Sequence, residues 1–165
     1  MPMADMIVME LEQEAKTTRR VLQRVPEDKL SWKPHEKSMS LGKLAMHVAT
    51  APGFLAGAAA QDVFEFKGQG PSEAKTKKEL LDAFDQNVAA AKETLKKIDD
   101  ARLMASWQAT GGGKTLMTIP RIAMIRALVM NHTYHHRGQL SVYLRLLDVP
   151  VPSIYGPSAD ESPFA

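Results

Sequence analysis

The chain of 165 residues has no cysteine. That excludes disulfides, thiolate metal sites and a cysteine nucleophile. Aromatic residues are scarce, at 6%, while Ala, Leu and Met are frequent, a balance that favours helix. An excess of one charge is missing too. Lys and Arg number 21 against 19 Asp and Glu, a formal net charge of +2. The basic residues are scattered, and "TKKELL" and "LKKIDD" mix signs on solvated faces, so a nucleic-acid partner is not supported. No apolar run approaches the length of a membrane span. The opening "MPMADMIVMELEQEAK" lacks the basic region and apolar core of a secretory signal. A cytoplasmic protein without membrane or nucleic-acid partners is therefore expected. Hydrophobic residues at 44% and charged residues at 24% suit one domain over 1–165 with a real core.

What is present is helical periodicity. Four stretches carry apolar residues at spacings of three and four. The first covers about 3–25, with Ile7, Leu11, Ala15, Thr18, Leu22 and Val25 on one stripe, closed by Pro26. The second covers about 40–60, with Ser40 as N-cap and Leu41, Leu44, Val48, Ala51 and Leu55 following. Pro52 lies inside it and predicts a kink or an early break. The third covers about 75–98, with Leu80, Phe84, Val88, Ala91, Leu95 and Ile98. The fourth covers about 119–147, with Pro120 in its first turn and a stripe of Ile122, Ile125, Val129, Leu140, Tyr143 and Leu147. An extended tail over 148–165 follows. The pattern predicts an all-α protein built as a four-helix bundle. Its connections, about 14 residues for each of the first two and about 20 for the third, are long for neighbours joined by tight turns. They allow a crossover between parallel helices.

The third connection, "SWQATGGGKTLMTIP", predicts a small hairpin turning at Gly111, Gly112 and Gly113. Its "GGGKT" imitates the end of a phosphate-binding loop. The full pattern needs glycine at position 108, where the chain has Gln108, and a helix directly after the lysine. A glycine-rich turn is the better reading.

Three of the five histidines fall in "NHTYHHRGQL", inside the fourth helix. With each residue advanced by about 100°, the centre of the apolar stripe lies about 13° from His136 and about 53° from His132, with His135 on the flank at about 113°. Residues four apart share a helix face. His132 and His136 can then reach one cation at about 2.0–2.1 Å each. The alternative is a pair of hydrogen-bonded packing histidines. His47, in "LGKLAMHVAT" and about 47° from the centre of its own apolar face, is the candidate third ligand. His35, in the loop before Ser40, is the weaker one.

"NHTYHHRGQL" resembles the last-helix signature of the DinB/YfiT-like superfamily: His, three residues, then His-Arg-Gly-Gln. "LSWKPHEKSMSLGKLAMHVA" resembles its earlier motif, a Trp-x-Pro segment, a serine at the helix start and a histidine on helix two. "VPSIYGPSADE" is similar to tails of that family. The resemblance spans the chain in order. It implies an up-down-down-up bundle, a divalent metal, Zn or Ni, held by His47, His132 and His136, and a homodimer. Arg137 and Gln139 match the motif's Arg and Gln, and Gly138 is expected to allow close helix packing. The translesion polymerase of similar name is unrelated.

Three protein ligands leave a coordination position open for water, a substrate anion or a thiolate. Relatives in the superfamily act on low-molecular-weight thiols as glutathione-, bacillithiol- or mycothiol-type S-transferases or isomerases, and others are described as metal-dependent hydrolases. The resemblance thus implies a metal-dependent enzyme with a small-molecule substrate, with thiol transfer ahead of hydrolysis. A non-catalytic metal-binding stress-response protein is the alternative. No catalytic general base is named by the sequence. Gln139 and the tail residues Tyr155, Asp160 and Glu161 are candidates for the pocket or for bonds to a ligand imidazole, although a solvated tail is the simpler expectation for the two acids. Tyr134, Trp32 and Trp107 read as packing residues.

Overall fold

The structure is a computed structural model and describes residues 1–68 and 70–164. Helix α1 (Met3–Gln23) begins after Pro2 with Asp5 in its first turn. Helix α2 (Leu41–Ala59) opens on Ser40, whose Oγ accepts from the Lys43 amide at 3.2 Å. Helix α3 (Lys77–Lys96) is capped by Thr76, whose Oγ1 accepts from the Glu79 amide, while the Glu79 carboxylate accepts from the Lys75 amide. These side chains satisfy amides that the first helical turn leaves without a partner.

Helix α2 runs through Pro52 without a break. Its flanking residues Ala51, Leu55 and Ala56 are locked in the core, and this packing carries the helix past the missing amide. A Cβ on the next residue, Gly53, would stand 2.3 Å from Asn87 Oδ1 and 3.0 Å from its Cα, so glycine there sets the close approach of α2 to α3.

The expectation of an all-α protein needs correction. A three-stranded sheet joins the helices. Strand β1 (Val63–Glu65) pairs parallel to β2 (Ser106–Gly111), which pairs antiparallel to β3 (Lys114–Pro120). The β2–β3 hairpin turns at Gly112 and Gly113, both at positive φ, which accounts for "GGGKT" without a phosphate. Strand β1 is too short to show alternation, and the five-residue helix α4 (Asp100–Met104) too short to show a stripe.

The last helical stretch is composite. Helix α5 (Arg121–Met124) leads into a π-helical segment, Ile125–Asn131, and then into α6 (His132–Leu146). Arg121 is wholly buried, donating to the carbonyls of Ala59, Gln61 and Arg102 and pairing with Asp62. It places a cation on the C-terminal end of α2, where the helix carbonyls concentrate negative charge.

Helix α1 packs against α3 and α6, and α2 packs against the same two. The pairs Arg19–Asp85 and Glu12–Lys92 run α1 antiparallel to α3. The buried apolar side chains form two clusters. One holds Leu11, Leu55, Leu95, Trp107 and Val129, and the other Leu22, Leu44, Leu80, Leu140 and Leu144. On α2 the first takes residues from Ala51 onward and the second residues up to Ala49, and position 47 lies close to this seam.

Candidate metal centre

Two helices bring three histidines together. His47 projects from α2, and His132 and His136 from the start of α6. His132 Nε2 lies 3.3 Å from His47 Nε2 and 3.0 Å from His136 Nε2. One ring nitrogen from each of the three lies within 4.8 Å of the others. Two nitrogens bound to one tetrahedral ion at 2.0–2.1 Å stand about 3.3 Å apart. The two short separations are compatible with a shared ion, and the cluster can hold a metal ion.

The protonation chemistry agrees. Burial holds all three imidazoles below the usual histidine range, with His136 adding to the effect on His47. His132 is pushed down to about 4, by burial first and then by its neighbours His136, His47 and His135. Neutral rings keep the lone pairs that a cation needs. His136 Nδ1 donates to Gln139 Oε1 at 2.7 Å, which leaves Nε2 as the free lone pair. His132 Nδ1 is buried and has no hydrogen-bond partner among the described residues.

All three are half-buried, and His132 and His136 stand on the flank of α6 rather than at its core-facing centre. The buried face of α6 is Thr133, Arg137, Leu140 and Leu144, whose centre lies about 70° from His136 and about 110° from His132. The π segment breaks the uniform advance that the apolar stripe assumed from Ile122 onward, and Tyr143 and Leu147 prove only partly buried. His132, with His47 from α2, lines a cleft of about 950 Å³ between α2, α3 and the loop after β1. Phe54, Phe66, Thr50, Asn87 and Leu128 also line it.

The other candidates are placed elsewhere. His35 Nδ1 accepts from the Lys37 amide, apart from the triad. His135 is exposed, its ring edge-on to His136. Tyr155 does not line the cleft; its hydroxyl meets Arg137 at 2.6 Å and Glu14 at 2.9 Å. Asp160 pairs with Arg145 and accepts from the Val151 amide, and Glu161 pairs with Arg20. These acids fasten the tail to the helices and bond to none of the three imidazoles. Gly138 is exposed, and a Cβ there would meet nothing within 4 Å, so it has no packing role. Trp107 is buried and donates to the Ala58 carbonyl, Trp32 packs edge-on to Tyr143, and Tyr134 donates to Glu10.

Arg137 is 1% exposed, between two ring faces at 5.2 Å (Tyr134) and 5.0 Å (Tyr155). It donates to the Glu14 carboxylate at 2.7 Å and to Thr18 Oγ1 at 3.0 Å. Sequence reasoning missed Glu14 and Thr18 as its partners. The available signal was Thr18 itself, a hydroxyl within the apolar stripe of α1.

The family model described as DinB family matches residues 1–163. The chain belongs to the DinB family. This member is 26% identical over 153 residues to the uncharacterized protein YrdA of Bacillus subtilis (strain 168), a match covering 90% of this chain and 85% of YrdA. Its fold is similar to the crystal structure of a DinB-like protein from Bacillus cereus ATCC 10987, with a TM-score of 0.73 and 24% identity, covering 93% of this chain and 98% of that one. It is also similar to the DinB-like protein YjoA from Bacillus subtilis, with a TM-score of 0.68 and 22% identity over 87% and 92% of the two chains. At these identities the two structures speak to fold alone.

Proposed function

We propose that this DinB family member is a metal-dependent enzyme in which His47, His132 and His136 hold one divalent ion, Zn or Ni, and that it transfers a thiol sulfur to a small-molecule electrophile. The convergence of three imidazole Nε2 atoms beside an open cleft carries the reading. Imidazole suits either metal. Held there, a divalent ion supplies Lewis acidity, which lowers the pKa of a bound thiol or water.

The chain's own residues have separable roles. Gln139 fixes the His136 ring. Arg137, tied to Glu14 on α1, holds the adjacent turn of α6 in place. The cleft lining carries no Asp or Glu among the described residues, so no carboxylate is placed there to take a proton. This favours thiol transfer over hydrolysis. A thiol ionises near 8.5 unaided, whereas water does so at 15.7. In the transfer the sulfur forms a bond to the electrophilic carbon. The leaving group departs with its bonding pair, and the thiol proton passes to solvent. The fold reading that accompanies this function is a four-helix bundle of up-down-down-up order, supported by the antiparallel α1–α3 ion pairs and by α1 and α2 each packing on both α3 and α6.

The test is turnover by the Zn- or Ni-loaded protein on a panel pairing small thiols with alkyl halides and epoxides, beside a panel of esters. Thioether formation that disappears in His47→Ala supports the proposal. Ester cleavage alone moves the assignment to hydrolysis, and no turnover on either panel favours a non-catalytic metal-binding role.

A further inference from the structure

The cleft beside the triad has an unusual lining for a site that would take a thiol cofactor. Its walls are Met46, Phe54, Leu55, Phe66 and Leu128, together with alanines, glycines and Pro71. No Lys, Arg, Asp or Glu lines it among the described residues. Glutathione and bacillithiol both carry carboxylates, and a carboxylate taken out of water needs a cation or several donors. The polar side chains in the lining are few and partly engaged. Asn87 donates to the Ala83 carbonyl, and the Thr50 hydroxyl donates to the Met46 carbonyl. A polyhydroxylated thiol of mycothiol type would find few partners here either.

The aromatic residues point to what would fit. Phe54 is 54% exposed although it sits on α2 between core residues. Its ring packs edge-on to Phe64 at 5.6 Å, and Phe64 packs on Phe66 at 4.9 Å. Phe66 in turn meets the buried Trp107 at 6.4 Å. This braced aromatic row presents Phe54 and Phe66 to the same cleft that His47 and His132 reach.

We infer that the cleft binds an uncharged, largely apolar small molecule with one metal-binding head group, its body against Phe54 and Phe66 and its head at the triad. Within the proposed thiol chemistry this selects a small hydrophobic thiol over the charged thiol cofactors, and it rests on that reading only for the role of the head group.

The test has two arms. In the first, the full-length protein is loaded with Co(II) and titrated with benzyl mercaptan or glutathione, following the sulfur-to-cobalt charge-transfer band. Benzyl mercaptan is expected to bind at least about tenfold more tightly, and Phe54→Asn to weaken it about tenfold with Co(II) uptake unchanged. Equal or tighter binding of glutathione overturns the inference. The second arm needs no metal. The neutral dye N-phenyl-1-naphthylamine should gain fluorescence with metal-free protein and lose that gain in Phe54→Lys, whose retained fold is checked by circular dichroism. Absence of any gain, or a gain unchanged in the variant, overturns the inference about the cleft. Failure to take up Co(II) while the dye arm succeeds counts against the metal reading and leaves the apolar cleft supported.

Discussion

At the scale of single residues, the proposed chemistry rests on imidazoles kept neutral and aimed at one point. Gln139 is the clearest residue acting through another. It accepts from His136 Nδ1 and so decides which nitrogen faces the cluster. Removing such a partner typically lowers metal affinity about 10–100-fold. Gln139→Leu should therefore weaken Zn binding by that factor in competition with a chromophoric chelator, while a full site still forms at excess metal. An affinity equal to wild type would deny Gln139 this role. The lowered histidine pKa values also set a pH dependence. Each imidazole binds its proton less readily in the folded chain than in the unfolded one, whose histidines titrate near 6.5. Between about pH 6.5 and the folded values the unfolded chain holds more protons. The stabilising contribution is thus complete above about 6.5 and falls as pH drops, for His132 down to about 4. Urea unfolding of chelator-treated protein should show a lower midpoint at pH 5 than at pH 7.5, with a smaller drop in His132→Gln. A variant drop as large as that of wild type would contradict this account.

At the scale of elements, α6 is held by an interaction that its apolar residues did not reveal. Arg137 occupies the core face between Thr133 and Leu140 and ties α6 to Glu14 and Thr18 of α1. Breaking a buried ion pair by removing one partner costs about 3–5 kcal/mol, because the other charge stays buried. Arg137→Leu should lose about that much stability in urea unfolding, and Arg137→Leu combined with Glu14→Leu should recover a large part. Equal loss in the single and double variants would show that the pair is not the source. The long helices were legible because their apolar spacing repeats at three and four residues, reinforced before α2 by the cap Ser40. The π segment was not, since nothing in "IRALVMN" distinguishes a wider turn from an ordinary one. It also turns α6 away from the stripe that a uniform helix would present, so that Arg137, whose partners are distant in sequence, faces the core. Strand β1 stayed hidden because its pairing partner in β2 lies more than forty residues away, beyond the reach of any local pattern.

At the scale of the whole molecule, the triad depends on the junction of α2 with α6, close to the seam between the two apolar clusters. The identity of its members was legible from the spacing of His132 and His136 and from the motif around His47. The tail was not legible in the same way. Asp160 and Glu161 serve arginines of α6 and α1 rather than the histidines, which only their packed positions disclose. Among the described residues no helix is long and apolar enough to cross a membrane. The measurement that bears most directly on the central claim is elemental analysis of purified, tag-free protein after equilibration with Zn or Ni, wild type beside His136→Ala. The wild type should carry about one divalent ion per chain, and the variant should lose it. Metal-free wild type after loading, or equal stoichiometry in both, would contradict it and leave the three imidazoles as packing residues.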